Sequence, residues 1–435
     1  MRPARRPRDT LDLMADTARV VATERPPAGP ARPARLTPMM GPAVVAAVAY
    51  VDPGDVATNL TAGATSGYRL VWVVVAAGLV AVLVQYQAAK LGMATGRSLP
   101  ELCRERFPRW GRRILWLQAE LVVLATDLAG FVGAAIGLRL LSGMPVAVSA
   151  AVTATVSLLL LALRRNGRAR RFECATAAAL LLIGAGTGYD LFAAGHQSAS
   201  GFAAGLVPRL DGAGQVLLAM GIVGATVMPH AVYLHSALTG PGARPVGPLA
   251  AEPRDVRRAL RLDCGIALSA AAVVNVSMIA LGAGLAALTG GTWTGDLFDA
   301  HTVLAERAGG VAALAFAVAL LSSGFASSGV GTLAGDVVMA GFLGRGVPVY
   351  LRRLVTMAPS VVLLTAGTSL TTLLVASQVV ISLGVPVALF LLIHCCRDRA
   401  LMGPLVNARV TTTVAAGAAS AVAAAGLALP MLLLA

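Results

Sequence analysis

The sequence predicts an all-α protein that crosses a membrane about eleven times, and three observations carry that reading. Apolar residues make up 57% of the 435 positions, charged residues only 13%, and the mean hydropathy is +0.76. A water-soluble chain of this length needs far more polar surface. Apolar stretches long enough to span ~30 Å of hydrocarbon recur along the whole chain. Finally, the basic residues alternate between the two ends of those stretches. In lipid every backbone polar group must be satisfied within the protein, so the stretches are read as helices rather than open sheet.

The spans fall at roughly 39–66, 70–94, 113–140, 145–163, 174–191, 213–239, 264–289, 310–343, 354–367, 369–394 and 410–433. The net charge of +14 comes from 34 Arg and one lysine, Lys90. These residues sit in short loops between apolar runs, which excludes a nucleic-acid-binding reading. Thirty-one of the 35 lie in the N-terminal region or in alternate loops, and Arg69, Arg139, Arg209 and Arg307 face the other way. That is the positive-inside asymmetry of a multi-pass protein of the cytoplasmic (inner) membrane with its N-terminus in the cytoplasm. Eleven spans then leave the C-terminus outside.

Between the spans the chain offers little else. Residues 1–38 are rich in Pro, Arg and Ala without an apolar core, so they read as a disordered basic cytoplasmic tail and not as a signal peptide. The linker 240–262 is Pro- and Gly-rich, then basic, and is expected to end in a short surface helix. The outer loop near 290–309 holds Trp293, Asp296, Asp299, His301 and Glu306 and is expected to form a helix from His301 to Ala308. Cys103, Cys174, Cys264, Cys395 and Cys396 all lie at or near cytoplasmic loops, where thiols stay reduced, and none has C-x-x-C spacing.

Two spans differ from the rest. The first is broken at Asp52-Pro53-Gly54-Asp55 and the sixth at Met228-Pro229-His230. They are five spans apart, at matching points of two five-helix halves, about 39–191 and 213–395. Interrupted helices at such positions point to a transporter's midplane site, and irregular backbone at that depth survives only when protein or a cavity covers it. Each proline frees carbonyls upstream: those of Ala49 or Tyr50 in the first span, Ala225 or Thr226 in the sixth. With Asp52, Asp55 and the Met228 thioether they make a mixed hard and soft ligand set, suited to transition-metal ions more than to Mg²⁺ or Ca²⁺. A charge at the bilayer centre costs ~3 kcal/mol or more, which makes each acid a functional candidate. Asp55 is also suited to cap the half-helix after it, Met228 to pack, and His230 and His235 to plain hydrogen-bonded roles. Asp52, just before a mid-membrane Pro-Gly, has the least structural reason to exist.

The segments GPAVVAAVAYVDPGDVATNLTAGATSGY, QYQAAKLGMATGRSLPELCRERFP, ELVVLATDLAG, GATVMPHAVYLHSAL, SSGFASSGVGTLAGDVVMAGFL and SQVVISLGVPVAL resemble the Nramp family of proton-coupled manganese and iron transporters, over about residues 39–395. The resemblance implies a leucine-transporter-like core of two inverted five-helix repeats, with a loop and an eleventh helix over 396–435. It implies import of Mn²⁺ or Fe²⁺, with tolerance of Cd²⁺ and Co²⁺, coupled to protons. Asp52, Met228 and the carbonyls of Ala49 and Ala225 would bind the metal, joined by Gln378 when the site is occluded. His230 and Asp127 would handle protons, with Arg352 or Arg353 near the cytoplasmic exit. His235, one turn beyond His230, also sits at a position the family favours.

Several positions depart from the family pattern. Asp55 stands where an asparagine is usual, Gly130 where an acid is, and Phe325 and Gly384 where glutamines are. With both acids ionised a bound M²⁺ leaves the site neutral; when empty, so close a pair is expected to share a proton. Asp55 is therefore expected to take part in metal binding and in part of the proton role missing at Gly130. Glu120, seven residues from Asp127, is a further proton stop or the partner of a basic helix end. Three alternatives remain on the same fold: selectivity shifted toward Mg²⁺ or trivalent ions, an uncoupled paralogue, and an amino-acid or sodium symporter, for which two acids have little use. No H-E-x-x-H occurs, which weighs against a metalloenzyme. The metal is expected as cargo, with no cofactor, no nucleic acid and no obligatory protein partner; lipid is the surrounding medium.

Overall fold

A computed structural model describes residues 41–163, 169–195, 197–240, 253–346, 348–365 and 369–434. The expected basic tail 1–38 and most of the linker 240–252 lie outside the described residues. Among the described residues every regular element is helical: α1 (Pro42–Ala49), α2 (Pro53–Ser66), α3 (Val71–Thr95), α4 (Leu99–Arg106), α5 (Arg109–Ser142), α6 (Val146–Leu163), α7 (Ala169–Ala194), α8 (Ala199–Gly205), α9 (Ala213–Thr226), α10 (Pro229–Leu238), α11 (Pro253–Leu288), α12 (Leu297–Arg307), α13 (Gly310–Leu343), α14 (Val349–Thr365), α15 (Leu370–Cys396), α16 (Arg399–Met402) and α17 (Arg409–Leu434).

Eight of the segments, counting α9–α10 as one, are long and apolar enough to cross a membrane. The other three expected spans fall short for visible reasons. The first is the broken pair α1–α2, α6 has an apolar described stretch of Val146–Leu159, and α14 has 17 residues interrupted by Pro359 and carries Arg352 and Arg353. Large apolar side chains face outward along the bundle: Leu181 is 74% exposed, Leu427 78% and Phe192 85%. In water such a surface would aggregate; in a bilayer it is the lipid contact.

Small residues let the inner helices approach closely, the usual solution where lipid supplies no hydrophobic drive for association. A Cβ on Gly133 of α5 would strike the ring of Pro53, and one on Gly137 would stand 2.6 Å from the Leu321 nitrogen of α13. Gly63 of α2 lies against the α11 backbone at Ile279, Gly282 and Ala283, and Gly282 of α11 against the α2 backbone at Leu60. At the arginine-rich end, Ser98 and Glu101 form a reciprocal cap on α4. Arg106 pairs with Asp398 at 2.5 Å, which holds that carboxyl below the usual carboxylate range and ties α4 to the segment before α17.

Two boundaries differ from the sequence expectation. The surface helix expected in 240–262 is the first part of α11, continuous with the seventh span. Val256, Ala259, Leu260, Cys264 and Ala267 carry one buried stripe across the join, so nothing stops the helix. The outer-loop helix begins at Leu297 and not at His301, because Asp296 caps it by accepting the amides of Phe298 (2.8 Å) and Asp299 (3.3 Å).

Candidate functional site

The first break is built by Pro53. It has no N–H for the carbonyl of Ala49 and its ring crowds the turn before it, so α1 stops at Ala49 and the chain runs unwound through Tyr50–Asp52. The freed carbonyls meet different fates. Tyr50's accepts Asn275 Nδ2 at 2.8 Å and Val51's accepts Ser323 Oγ at 2.5 Å. Of the two carbonyls expected here, Tyr50's is thus engaged and Ala49's keeps no helical donor. Asp52, not Asp55, caps the second half-helix: its Oδ1 accepts the Asp55 amide at 2.7 Å. A structural reason for Asp52 therefore does exist, and it leaves Asp55 without that role. The side chains of both acids are fully buried, and the positive end of the α2 dipole favours them there.

The second break repeats the device. Pro229 deprives Ala225 of its helical donor, α9 ends at Thr226, and Met228 is extended (φ −64°, ψ 117°) and fully buried. His230 follows in the first turn of α10, also fully buried, with Nδ1 3.1 Å from Thr126 Oγ1 of α5. One residue of α15 touches both breaks. Gln378 Nε2 lies 3.4 Å from Asp52 Oδ1, and its side chain fills the space a Cβ on Gly54 would need. Its backbone carbonyl is pressed against Gly224, the neighbour of Ala225, where no side chain would fit.

Around these breaks polar atoms are buried without partners: Asp52 Oδ2, both carboxylate oxygens of Asp55, Thr226 Oγ1, His230 Nε2 and Gln378 Oε1. Folded proteins satisfy nearly all such atoms, and a buried carboxylate is tolerated only when a proton or a cation neutralises it. Among the described residues no three His, Cys, Asp or Glu side chains converge into a metal cage. The groups that could hold a cation are instead the two carboxylates and the Gln378 amide at the first break, and the freed carbonyl and the Met228 thioether at the second.

Four of the seven residues expected in the proton path, Asp127, Glu120, Arg352 and Arg353, form two neighbouring ion pairs, the first buried and the second partly so. Arg353 Nη1 meets Asp127 Oδ1 at 3.0 Å and also bonds Ser328; Arg352 Nη2 meets Glu120 Oε1 at 2.9 Å. Asp336, 3.6 Å from Arg352, was not foreseen. Gly335 exists to clear space for the Arg352 guanidinium. Asp127 follows Thr126 in α5, so the residue that reaches His230 and the one that pairs with Arg353 are neighbours in the chain.

Sequence reasoning also missed the partners that hold the breaks. Asn275 is one: a polar residue inside the apolar seventh span, which was the available signal. Tyr50 Oη accepts Gln85 Nε2 at 2.5 Å, and Gln85 Oε1 lies 2.8 Å from His235 Nδ1, so His235 braces the start of the first break. Asp263 takes the Gly41 and Ala43 amides at 3.1 and 3.2 Å, closing the start of α1. At the arginine-poor end, a funnel of about 550 Å³ runs along α2, lined by Thr61, Thr65, Asp211, Asp296 and Thr371 among others.

Comparison with known proteins agrees with this architecture. The family model described as natural resistance-associated macrophage protein-like, Nramp, matches residues 43–432. A protein of Deinococcus radiodurans named divalent metal cation transporter MntH is 45% identical over 397 residues, covering 91% of this chain and 90% of that one. A crystal structure of a mutant Eremococcus coleocola manganese transporter superposes with a TM-score of 0.79 at 30% identity, over 93% of this chain and 88% of the other. Mhp1, a nucleobase-cation-symport-1 family transporter, shares the fold at a TM-score of 0.61 and 17% identity, over 91% of each chain. The leucine-transporter-like fold is therefore shared with a carrier of another family.

Proposed function

The chain belongs to the Nramp family of membrane transporters, and from that premise we propose that it imports divalent transition-metal ions together with protons by alternating access. Mn²⁺ or Fe²⁺ is the principal cargo, with Cd²⁺ and Co²⁺ tolerated. The single observation that carries this reading is the concentration of unpartnered buried oxygens, from Asp52, Asp55 and Gln378, where the two breaks share one neighbour. A divalent cation supplies what those oxygens lack. The thioether of Met228, buried at the second break, tilts the set toward softer ions.

Asp52 and Asp55 together match the charge of M²⁺, so binding the ion displaces whatever proton the empty pair holds. From there His230, Thr126 and the pairs Asp127–Arg353 and Glu120–Arg352 offer a polar route to the arginine-rich end, read as cytoplasmic. Under this reading α1–α7 and α9–α15 are the two repeats, α17 is an appended span, the N-terminus is cytoplasmic and the C-terminus external. The bare oxygens of Asp55 also favour a second reading, a harder site with selectivity moved toward Mg²⁺ or trivalent ions.

Uptake into proteoliposomes decides between them. Purified protein is expected to accumulate Mn²⁺ in competition with Cd²⁺, faster when the outside is more acidic, and Asp52→Ala should fall to the liposome background. Mg²⁺ competing as well as Cd²⁺ would favour the harder site. Uptake indifferent to the proton gradient would remove the coupling.

A further inference from the structure

Gln118 of α5 is a long polar side chain beside the second break that the mechanism above leaves unused. A Cβ placed on Gly384 of α15 would stand 2.5 Å from Gln118 Nε2, 2.5 Å from Val122 Cγ2 and 3.3 Å from Pro229 Cγ. The amide of Gln118 and the ring of the helix-breaking proline thus border the same point, and glycine at 384 is what leaves room for the amide. Gln118, Val122 and Thr126 recur every four residues, so one face of α5 runs along the break, with Thr126 reaching His230. Gln118 lies eight residues, about 12 Å of helix, nearer the arginine-rich end than Thr126.

The amide itself is the anomaly. Both Oε1 and Nε2 are buried and neither has a hydrogen-bond partner. A buried amide left bare destabilises the fold, whereas an apolar side chain of similar length would fill the same space without that penalty. Packing therefore gives no reason for glutamine here. An amide does not titrate in the physiological range, so proton carriage gives none either. What it does offer is a neutral oxygen that can bind a cation, or a water on a cation, leaving a site of acids and a thioether.

We propose that Gln118 is a further cation-recognising residue of the transport site, receiving the ion on the arginine-rich side of the second break. The proposal rests on the transport reading above and adds a residue to it. Mn²⁺ uptake by the wild type, Gln118→Leu and the double variant Gln118→Ala/Gly384→Gln tests it, the last returning an amide to the same space from the facing helix. Gln118→Leu is expected to lose several-fold in kcat/KM for Mn²⁺, to keep the shape of the wild-type pH profile, and to melt no lower than wild type. The double variant should recover much of the loss. Wild-type kinetics in Gln118→Leu would overturn the proposal while leaving the transport reading intact. So would a fall in melting temperature that tracks the lost uptake without recovery in the double variant, since that marks a purely structural glutamine. A wild type that moves no Mn²⁺ would sink both.

Discussion

Asp52 has one engaged oxygen and one bare one: Oδ1 caps α2, and Oδ2 has no partner and is the one the proposed function gives to cargo. Capping fixes the carboxylate's direction before any ion arrives, which reduces the ordering that binding would otherwise require. Asp55, three residues on in the same first turn, has neither oxygen engaged. Under the proposed function it is the freer of the two acids to exchange a proton for a metal ion. In Asp55→Asn the acceleration of uptake by outside acidification should weaken several-fold relative to wild type. Superimposable pH profiles for the two proteins would reject a proton role for Asp55.

At the scale of elements, the breaks are held by close helix packing as much as by their prolines. Gly133 lets α5 lie directly against Pro53, so a methyl group there must displace the break itself. Overpacking of this kind costs ~1–3 kcal/mol. Gly133→Ala is expected to lower the melting temperature in detergent and slow uptake together; wild-type values for both would show that the contact yields easily. The two breaks were legible in the sequence because Pro and Gly beside acids are conspicuous in apolar runs. Gln378, Asp127, Arg352 and Arg353 came from motif resemblance and Glu120 from its spacing of seven from Asp127; that these last four would form two ion pairs was not legible. The roles of Asn275, Ser323, Asp263 and Asp336 were not legible, because each is a lone polar residue whose partner is distant in the chain. Position along a helix gives its depth but not which neighbour it faces. The capping role offered for Asp55 falls to Asp52 for a related reason: Asp-Pro-Gly-Asp offers two acids to one helix start, and only the turn geometry chooses between them.

Across the whole molecule the charges and cavities have a direction. The arginine-poor end has an open pocket bordered by acids and hydroxyls along α2, while at the arginine-rich end Asp263 holds the start of α1, Gln85 joins Tyr50 to His235, and a second pocket is lined by Arg254, Arg257, Arg258 and Arg261. Between them Asp52, Asp55, Met228, His230 and Gln378 are wholly buried. Under the proposed reading, in which the arginine-rich end is cytoplasmic, the pocket along α2 lies on the outer side, where an importer would take up its cargo. That reading's central claim is that both breaks bind one ion. Anomalous diffraction at the manganese edge from crystals grown with Mn²⁺ tests it most directly. One peak within bonding reach of an Asp52 oxygen and the Met228 sulfur, absent in crystals of Asp52→Ala, is the expected result; a peak elsewhere, or one that touches only a single break, would contradict the account.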